Sequence, residues 1–197
     1  MGVNQINNIK RRAVFLDRDG VLNRSVVRNG KPYPPNSPEE IEILPGVEDG
    51  LRLLHRAGYL LIGATNQPDV ARGKQRQIVV EKINQILLDS LPLLEIRVCY
   101  HDDPDECNCR KPLAGLLLQA AEAHNIDLAK SFMVGDRWKD IEAGRRAGCT
   151  TILIDYGYNE PELSVPHYRV HSLKEAAYLI DNLEKERRKG INGESLI

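Results

Sequence analysis

The chain has 197 residues, with 27 Lys+Arg against 28 Asp+Glu, a formal net charge of −1 and 42% hydrophobic residues. That length suits one domain with a real core, and the composition argues against disorder or fibre. The balanced charge argues against a nucleic-acid binder that relies on many phosphate contacts, but it leaves room for a small phosphorylated ligand, which needs only a few local cations.

The N-terminus is polar up to Lys10-Arg11-Arg12, and residues 1–11 are expected to be extended or disordered. The apolar run that follows, Ala13–Leu16, is too short for a signal-peptide core and reads as a strand. No segment approaches the ~20 apolar residues of a membrane span, so a cytoplasmic protein with no membrane partner is expected. Residues 47–57 (VEDGLRLLHRA) have helical spacing and stop at Gly58, and residues 59–64 (YLLIGA) read as a buried strand. Residues 75–88 read as a helix with Ile78, Val79, Ile83, Ile86 and Leu87 on one face. A strand over 95–100 and a helix over 113–124 follow. Next come a strand over 131–134, a helix over 139–147 and a strand over 150–154. A last helix spans 173–186, and 187–197 form a polar tail expected to fray. Strands alternating with helices predict one doubly wound α/β domain over 12–186, a mostly parallel sheet with helices on both faces. Ligands of such sheets sit beyond the carboxyl ends of the strands. The proline-rich residues 30–38 (GKPYPPNSP) read as a flap facing the substrate.

The residues after each strand therefore carry the information. Asp17 and Asp19 point the same way in an extended chain, and such close carboxylates repel unless a cation sits between them or one is protonated. Mg²⁺ suits that role through its preference for oxygen ligands. The same Asp-x-Asp-Gly also suits a turn. Thr65, Asn66 and Gln67 offer a hydroxyl and amides to a phosphate oxygen, or simply a polar loop. Arg110-Lys111 precede Pro112 at a predicted helix start, which makes an anion site or a solvated charge pair. Asp136 stands at a strand tip after Gly135, and Asp140 reads as a first-turn acid of the next helix. Cys99, His101, Cys107 and Cys109 fall within eleven residues. Three thiolates and one imidazole complete a tetrahedral Zn²⁺ site with no open position, so this zinc is expected to be structural and to order the loop that aims Lys111. Cys149 reads as a small buried residue.

Taken in order, Asp-x-Asp, Thr, Lys and Gly-Asp-x3-Asp resemble the haloacid dehalogenase superfamily of phosphotransferases, over about residues 12 to 185. The resemblance implies a Rossmann-like fold without a large cap domain, and a hydrolase acting through an aspartyl-phosphate. It assigns Asp17 as nucleophile and Asp19 as general acid and base. It assigns Mg²⁺ to Asp17, the Asp19 backbone carbonyl and Asp136, and the phosphoryl group to Thr65, Asn66 and Lys111. Asp140 is then expected to support Lys111 or the metal's waters rather than to bind metal directly. Cys-x-His, Cys-x-Cys-Arg-Lys-Pro and the stretch from Thr65 to Gly73 (TNQPDVARG) resemble the histidinol-phosphatase-like branch with a zinc loop. That branch implies a D-glycero-D-manno-heptose 1,7-bisphosphate losing its 7-phosphate, in lipopolysaccharide or other glycan precursor synthesis. Histidinol phosphate is the alternative substrate, and a non-catalytic phospho-accepting module is a further alternative. Gln67, Arg72 and Arg110 are expected to contact substrate, with Arg72 and Arg110 on the phosphate that is not cleaved. Pro68-Asp69 and the short, Asp-rich zinc loop depart from the family pattern at the rim. The expected partner is a small phosphorylated sugar, with no nucleic acid, and the protein is expected to be a monomer.

Overall fold

The structure, a computed structural model, describes residues 9–193 except Gly30 and Glu162. The predicted features at residues 1–8 and 194–197 lie outside the described residues. The core is a six-stranded, all-parallel sheet of β1 (Ala13–Leu16), β4 (Leu60–Asn66), β5 (Glu95–Cys99), β6 (Phe132–Gly135), β7 (Thr150–Ile154) and β8 (Tyr168–Val170). Their order across the sheet is β5-β4-β1-β6-β7-β8. Between them run α1 (Val47–Arg56), α2 (Gln77–Ser90), α3 (Gly115–His124), α4 (Trp138–Ala147) and α5 (Leu173–Gly193).

The central strand explains the layering. All four residues of β1 are fully buried, so it reads as an unbroken apolar run, as expected of a strand covered on both faces. Val14 and Leu16 pack with Val47, Leu51 and Leu54 of α1 and with Ala176, Ala177 and Ile180 of α5. Ala13 and Phe15 point the other way, onto Leu116, Leu117 and Ala120 of α3. Each such large side chain taken out of water contributes about 1.5–3 kcal/mol. The Arg12 guanidinium lies 4.5 Å from the Tyr59 ring centre and pairs with Glu184, which fastens the start of β1 to α5.

Four local features differ from the pattern in the sequence. Ile78 is 50% exposed, while Val80, Ile83, Asn84 and Leu87 form the buried face of α2. Two residues correspond to about 200° around a helix, so Ile78 falls opposite Val80. Within the proline-rich segment, β3 (Lys31–Tyr33) pairs antiparallel with β2 (Val26–Arg28), so a small hairpin replaces an irregular flap. β8 has only three residues, too few to show a period. The last helix runs on to Gly193, past residue 186, helped by the good helix formers Arg187, Arg188 and Lys189 and by the pairs Asp181–Lys185 and Glu184–Arg187. Among the described residues, no helix is long and apolar enough to cross a membrane.

Candidate active site

Strand register brings the sequence-predicted groups together. Leu16 of β1 pairs with Gly63 of β4 and Val134 of β6. Asp17, one residue on, therefore leaves the sheet beside Ala64 and Gly135, with Thr65 and Asp136 one step further. The Asp17 N–H still donates to the Val134 carbonyl at 3.0 Å, so the nucleophile candidate is anchored to the sheet end. The chain then turns back. The N–H groups of Leu22 and Asn23 donate to the Arg18 carbonyl, and Gly20 takes φ +92. A Cβ on Gly20 would lie 2.0 Å from Asp136 Oδ2, so only glycine lets this turn close over Asp136.

Lys111 sits among the acids. Its Nζ is 2.7 Å from Asp17, 2.6 Å from Asp140 and 2.6 Å from the Ala64 carbonyl. Burial disfavours its charge, but Asp140 and Asp17 outweigh that and raise its pKa, so it stays an ammonium. Asn66 grips the Lys111 backbone with both amide groups, at 2.9 and 3.0 Å. Asn66 thus meets Lys111 through its main chain. Asp140 also accepts from the Arg137 N–H at 3.1 Å, capping α4, so both its oxygens have protein partners.

Asp136 is the opposite case. It is buried, and neither carboxylate oxygen meets a donor at good hydrogen-bond geometry, with the Tyr158 hydroxyl as the nearby donor. Burial, Asp17 and Asp140 hold its pKa well above the usual range. Burial pushes Asp17 up to about 6, with Asp140 and Asp19 adding to the rise and Lys111 opposing it. One oxygen each from Asp17, Asp136 and Asp140 lies within 4.8 Å of the others. A divalent cation between Asp17 and Asp136 would satisfy the Asp136 oxygens and relieve the repulsion, and oxygen donors suit Mg²⁺. Asp140, already engaged, is the weaker ligand of the three.

Asp19 is held by donors on several sides. Arg18 forks onto it, with Nη2 at 2.9 Å, while Asn23 donates at 3.0 Å and Gln67 at 2.9 Å. The Gln67 amide also donates to Thr65 Oγ1 at 3.0 Å, so Gln67 links Asp19 to the Thr65 hydroxyl. Arg18 is fully buried and its far end donates to Asn84 of α2. Neither Arg18 nor Asn84 was legible as part of the site, because an arginine beside two aspartates reads as solvated charge.

The cysteine loop closes as its spacing predicts. Cys109 Sγ lies 3.2 Å from Cys99 Sγ, 3.5 Å from Cys107 Sγ and 3.3 Å from His101 Nδ1. All four donor atoms lie within 4.8 Å of one another, and the cysteines are free thiols. Tetrahedral zinc with Zn–S ~2.3 Å separates its sulfurs by about 3.7 Å, close to this arrangement. The four side chains can hold Zn²⁺ directly before Arg110-Lys111.

The rim is built from the hairpin and from arginines. Pro32, Tyr33 and Pro34 line the cleft together with Asp17, Thr65 and Lys111. Arg72 forks onto Asp102 at 2.6 Å, and Arg110 donates to Asp103 at 2.7 Å and to the His101 carbonyl. Two further cations, Arg137 and Lys139, line the cleft, and sequence reasoning gave them no role. Their place between Asp136 and Asp140 was the available signal.

Acids at the switch point of a parallel sheet, a lysine fixed among them and a cleft bordered by cations define a phosphate-ester hydrolase. A family model described as HAD-hydrolase-like (Hydrolase_like) matches residues 108–176. The D-glycero-beta-D-manno-heptose-1,7-bisphosphate 7-phosphatase of Helicobacter pylori (strain ATCC 700392 / 26695) is 37% identical over 142 residues, covering 69% of this chain and 79% of that one. The D-glycero-alpha-D-manno-heptose-1,7-bisphosphate 7-phosphatase of Campylobacter jejuni is 34% identical over 149 residues, covering 74% and 83%. The crystal structure of D,D-heptose 1,7-bisphosphate phosphatase from B. bronchiseptica with magnesium and phosphate superposes with a TM-score of 0.70 at 29% identity, over 89% of this chain and 99% of that one. The chain belongs to the haloacid dehalogenase-like phosphatases, in the family of these heptose bisphosphate phosphatases, and it is a phosphoric monoester hydrolase.

Proposed function

We propose that the protein removes the 7-phosphate of a D-glycero-D-manno-heptose 1,7-bisphosphate, as a cytoplasmic monomer, using Mg²⁺ and an aspartyl-phosphate intermediate. The observation that carries the reading is the meeting of Asp17, Thr65, Lys111 and Asp136 at one sheet edge. That arrangement occurs in a chain whose relatives are named for this reaction. A phosphoryl transfer needs mainly positioning and charge neutralisation, and the site is made of those parts.

In this mechanism Asp17 attacks phosphorus. The bond to the sugar oxygen breaks as Asp19 donates its proton to that oxygen. Asp19, now a carboxylate, takes a proton from water, and the water oxygen attacks the aspartyl-phosphate. Phosphate leaves and Asp17 is restored. Lys111, Thr65 and Asn66 hold the transferring group, and Gln67 keeps Asp19 and Thr65 in fixed relation. Asp17, the Asp19 carbonyl and Asp136 would hold Mg²⁺, which supplies charge neutralisation at the phosphoryl oxygens. Asp19→Asn is expected to lower kcat by about 10²–10⁴-fold, measured by phosphate release at saturating Mg²⁺. An unchanged rate would remove Asp19 from the mechanism.

The zinc loop supports this site without entering the chemistry. Cys99, His101, Cys107 and Cys109 would hold Zn²⁺ as a closed structural site. One zinc per chain is expected by elemental analysis. Cys107→Ser is expected to lose that zinc and to expose residues 99–111 to proteolysis, with activity falling as a consequence. Metal-replete protein without zinc would contradict the assignment.

A phosphate-release screen tests the substrate, with both heptose bisphosphate anomers, fructose 1,6-bisphosphate and histidinol phosphate. Asp69, Asp102 and Asp103 beside the rim arginines are all paired with them, so among the described residues none of these three acids is free for the amine of histidinol phosphate. Preferred release from histidinol phosphate would refute the heptose reading.

A further inference from the structure

Among the described residues Arg18 is the largest fully buried side chain, and it takes no part in the steps proposed for the reaction. Asp19 is the carboxylate it pairs with. Its Nε lies 3.2 Å from both Asp19 oxygens, and its Nη2 lies 2.9 Å from Oδ2. The remaining nitrogen, Nη1, donates to Oδ1 of Asn84 at 2.9 Å. Asn84 is buried in the interior of α2, on the face that carries Val80, Ile83 and Leu87. Packing explains neither side chain. An apolar residue at 84 would suit a helix interior and its core face better than asparagine. A buried ion pair generally does no more for stability than well-packed apolar side chains of similar volume. What the two residues do accomplish is to fix Asp19, which lines the cleft while Arg18 is shut off from it.

The groups around Asp19 indicate which of its two tasks they serve. The Arg18 fork, Asn23 and Gln67 all donate to it, and together they reach both oxygens. An ionised carboxyl group only accepts, whereas a protonated one must also donate. The cradle is therefore complementary to the carboxylate, the form in which Asp19 takes a proton from water.

We propose that Arg18 and Asn84 are positioning residues for the second half of the reaction. Asn84 fixes the guanidinium from α2, and the guanidinium aims the Asp19 carboxylate at the water that attacks the aspartyl-phosphate. This rests on the reading above, in which Asp19 is the base. In that step a water O–H bond breaks and its proton passes to Asp19. The water oxygen bonds to phosphorus, the bond from phosphorus to the Asp17 oxygen breaks, and phosphate leaves. A water molecule has no remote group by which to be oriented, so the direction of the base sets the geometry of attack. The first half makes no such demand when the leaving group is an aryl oxide, which departs as a stable anion without a proton from Asp19.

Two measurements separate the halves. Exchange of ¹⁸O between water and inorganic phosphate runs the second half in both directions, since Asp17 displaces one phosphate oxygen as water and solvent water returns. The kcat/KM for p-nitrophenyl phosphate reads the first half alone. Asn84→Leu is expected to slow exchange about tenfold, the worth of one hydrogen bond to a charged group, and to lower kcat/KM for the aryl phosphate less than about threefold. Asn84→Ala, which cannot overpack the core, is expected to show the same split. Asn84→Asp keeps an oxygen in that place and is expected to return most of the exchange. The inference is overturned if the Leu and Ala variants exchange at the wild-type rate. It is equally overturned if they lower both measurements alike, as a general loosening of the site would. Asp19→Asn is measured alongside. Loss of exchange in Asp19→Asn but not in the Asn84 variants overturns the positioning role alone. Normal exchange in Asp19→Asn, or none in the wild type, sinks the base or the covalent intermediate of the reading itself, and the role of Arg18 and Asn84 with it.

Discussion

Asp17→Asn is expected to lower kcat by about 10⁴-fold or more, because an amide cannot take the place of the carboxylate in the proposed covalent intermediate. The fold should survive. Asn matches Asp in size, and Lys111 keeps Asp140 as a partner at 2.6 Å. Stability carries an independent sign. Burial raises Asp17 from 3.8 to about 6, so in metal-free protein its ionisation works against folding. The stability present below the unfolded pKa is lost as pH rises through the folded one, from about 3.8 to about 6. In EDTA, wild type should therefore lose stability across that window, and Asp17→Asn should lose less. Phosphate release and urea unfolding at several pH values check both halves. A folded Asp17→Asn enzyme with normal turnover ends the covalent mechanism.

Lys111→Met should be nearly as damaging to activity and worse for the fold. Lys111 is the counter-ion of both Asp17 and Asp140, and all three are buried. Removing one partner of a buried ion pair costs about 3–5 kcal/mol, since the charge left behind has neither water nor partner. A drop of that size in metal-free unfolding free energy is expected. The rate should fall at least about 10²–10³-fold, as for loss of one preorganised group that stabilises charge in the transition state. Saturating Mg²⁺ should return part of the stability by neutralising Asp17, but not the rate. Recovery of both would show that Lys111 serves the fold alone.

Much of this architecture is legible from patterns of two to four residues. The fully apolar β1, the helical spacing that ends at Gly58 and the alternation of strand and helix are local signals. Each places one acid or cation just past a strand. Other features are decided at a distance. The β2–β3 hairpin and β8 are strands of three residues, too short for a period to register. Ile78 looks like a core residue until the phase of α2 is set by Val80, Ile83 and Leu87. Gln67 looks like a phosphate donor, and its amide instead spans Asp19 and Thr65.

The sequence by itself determined the chemistry available. It placed Asp17, Asp19, Thr65 and Asp136 at successive strand ends and Lys111 after the cysteine loop, and it put three thiols and an imidazole within reach of one metal. Residue type and short spacing suffice there, because a parallel sheet gathers its carboxyl ends at one edge. Only the tertiary structure decided which charges are free to act. Whether an arginine meets substrate or an aspartate depends on loops far apart in the chain, such as the one carrying Arg72 and the one carrying Asp102. Burial then fixes the outcome. It leaves the oxygens of Asp136 without a well-placed donor and locks Lys111 between two acids.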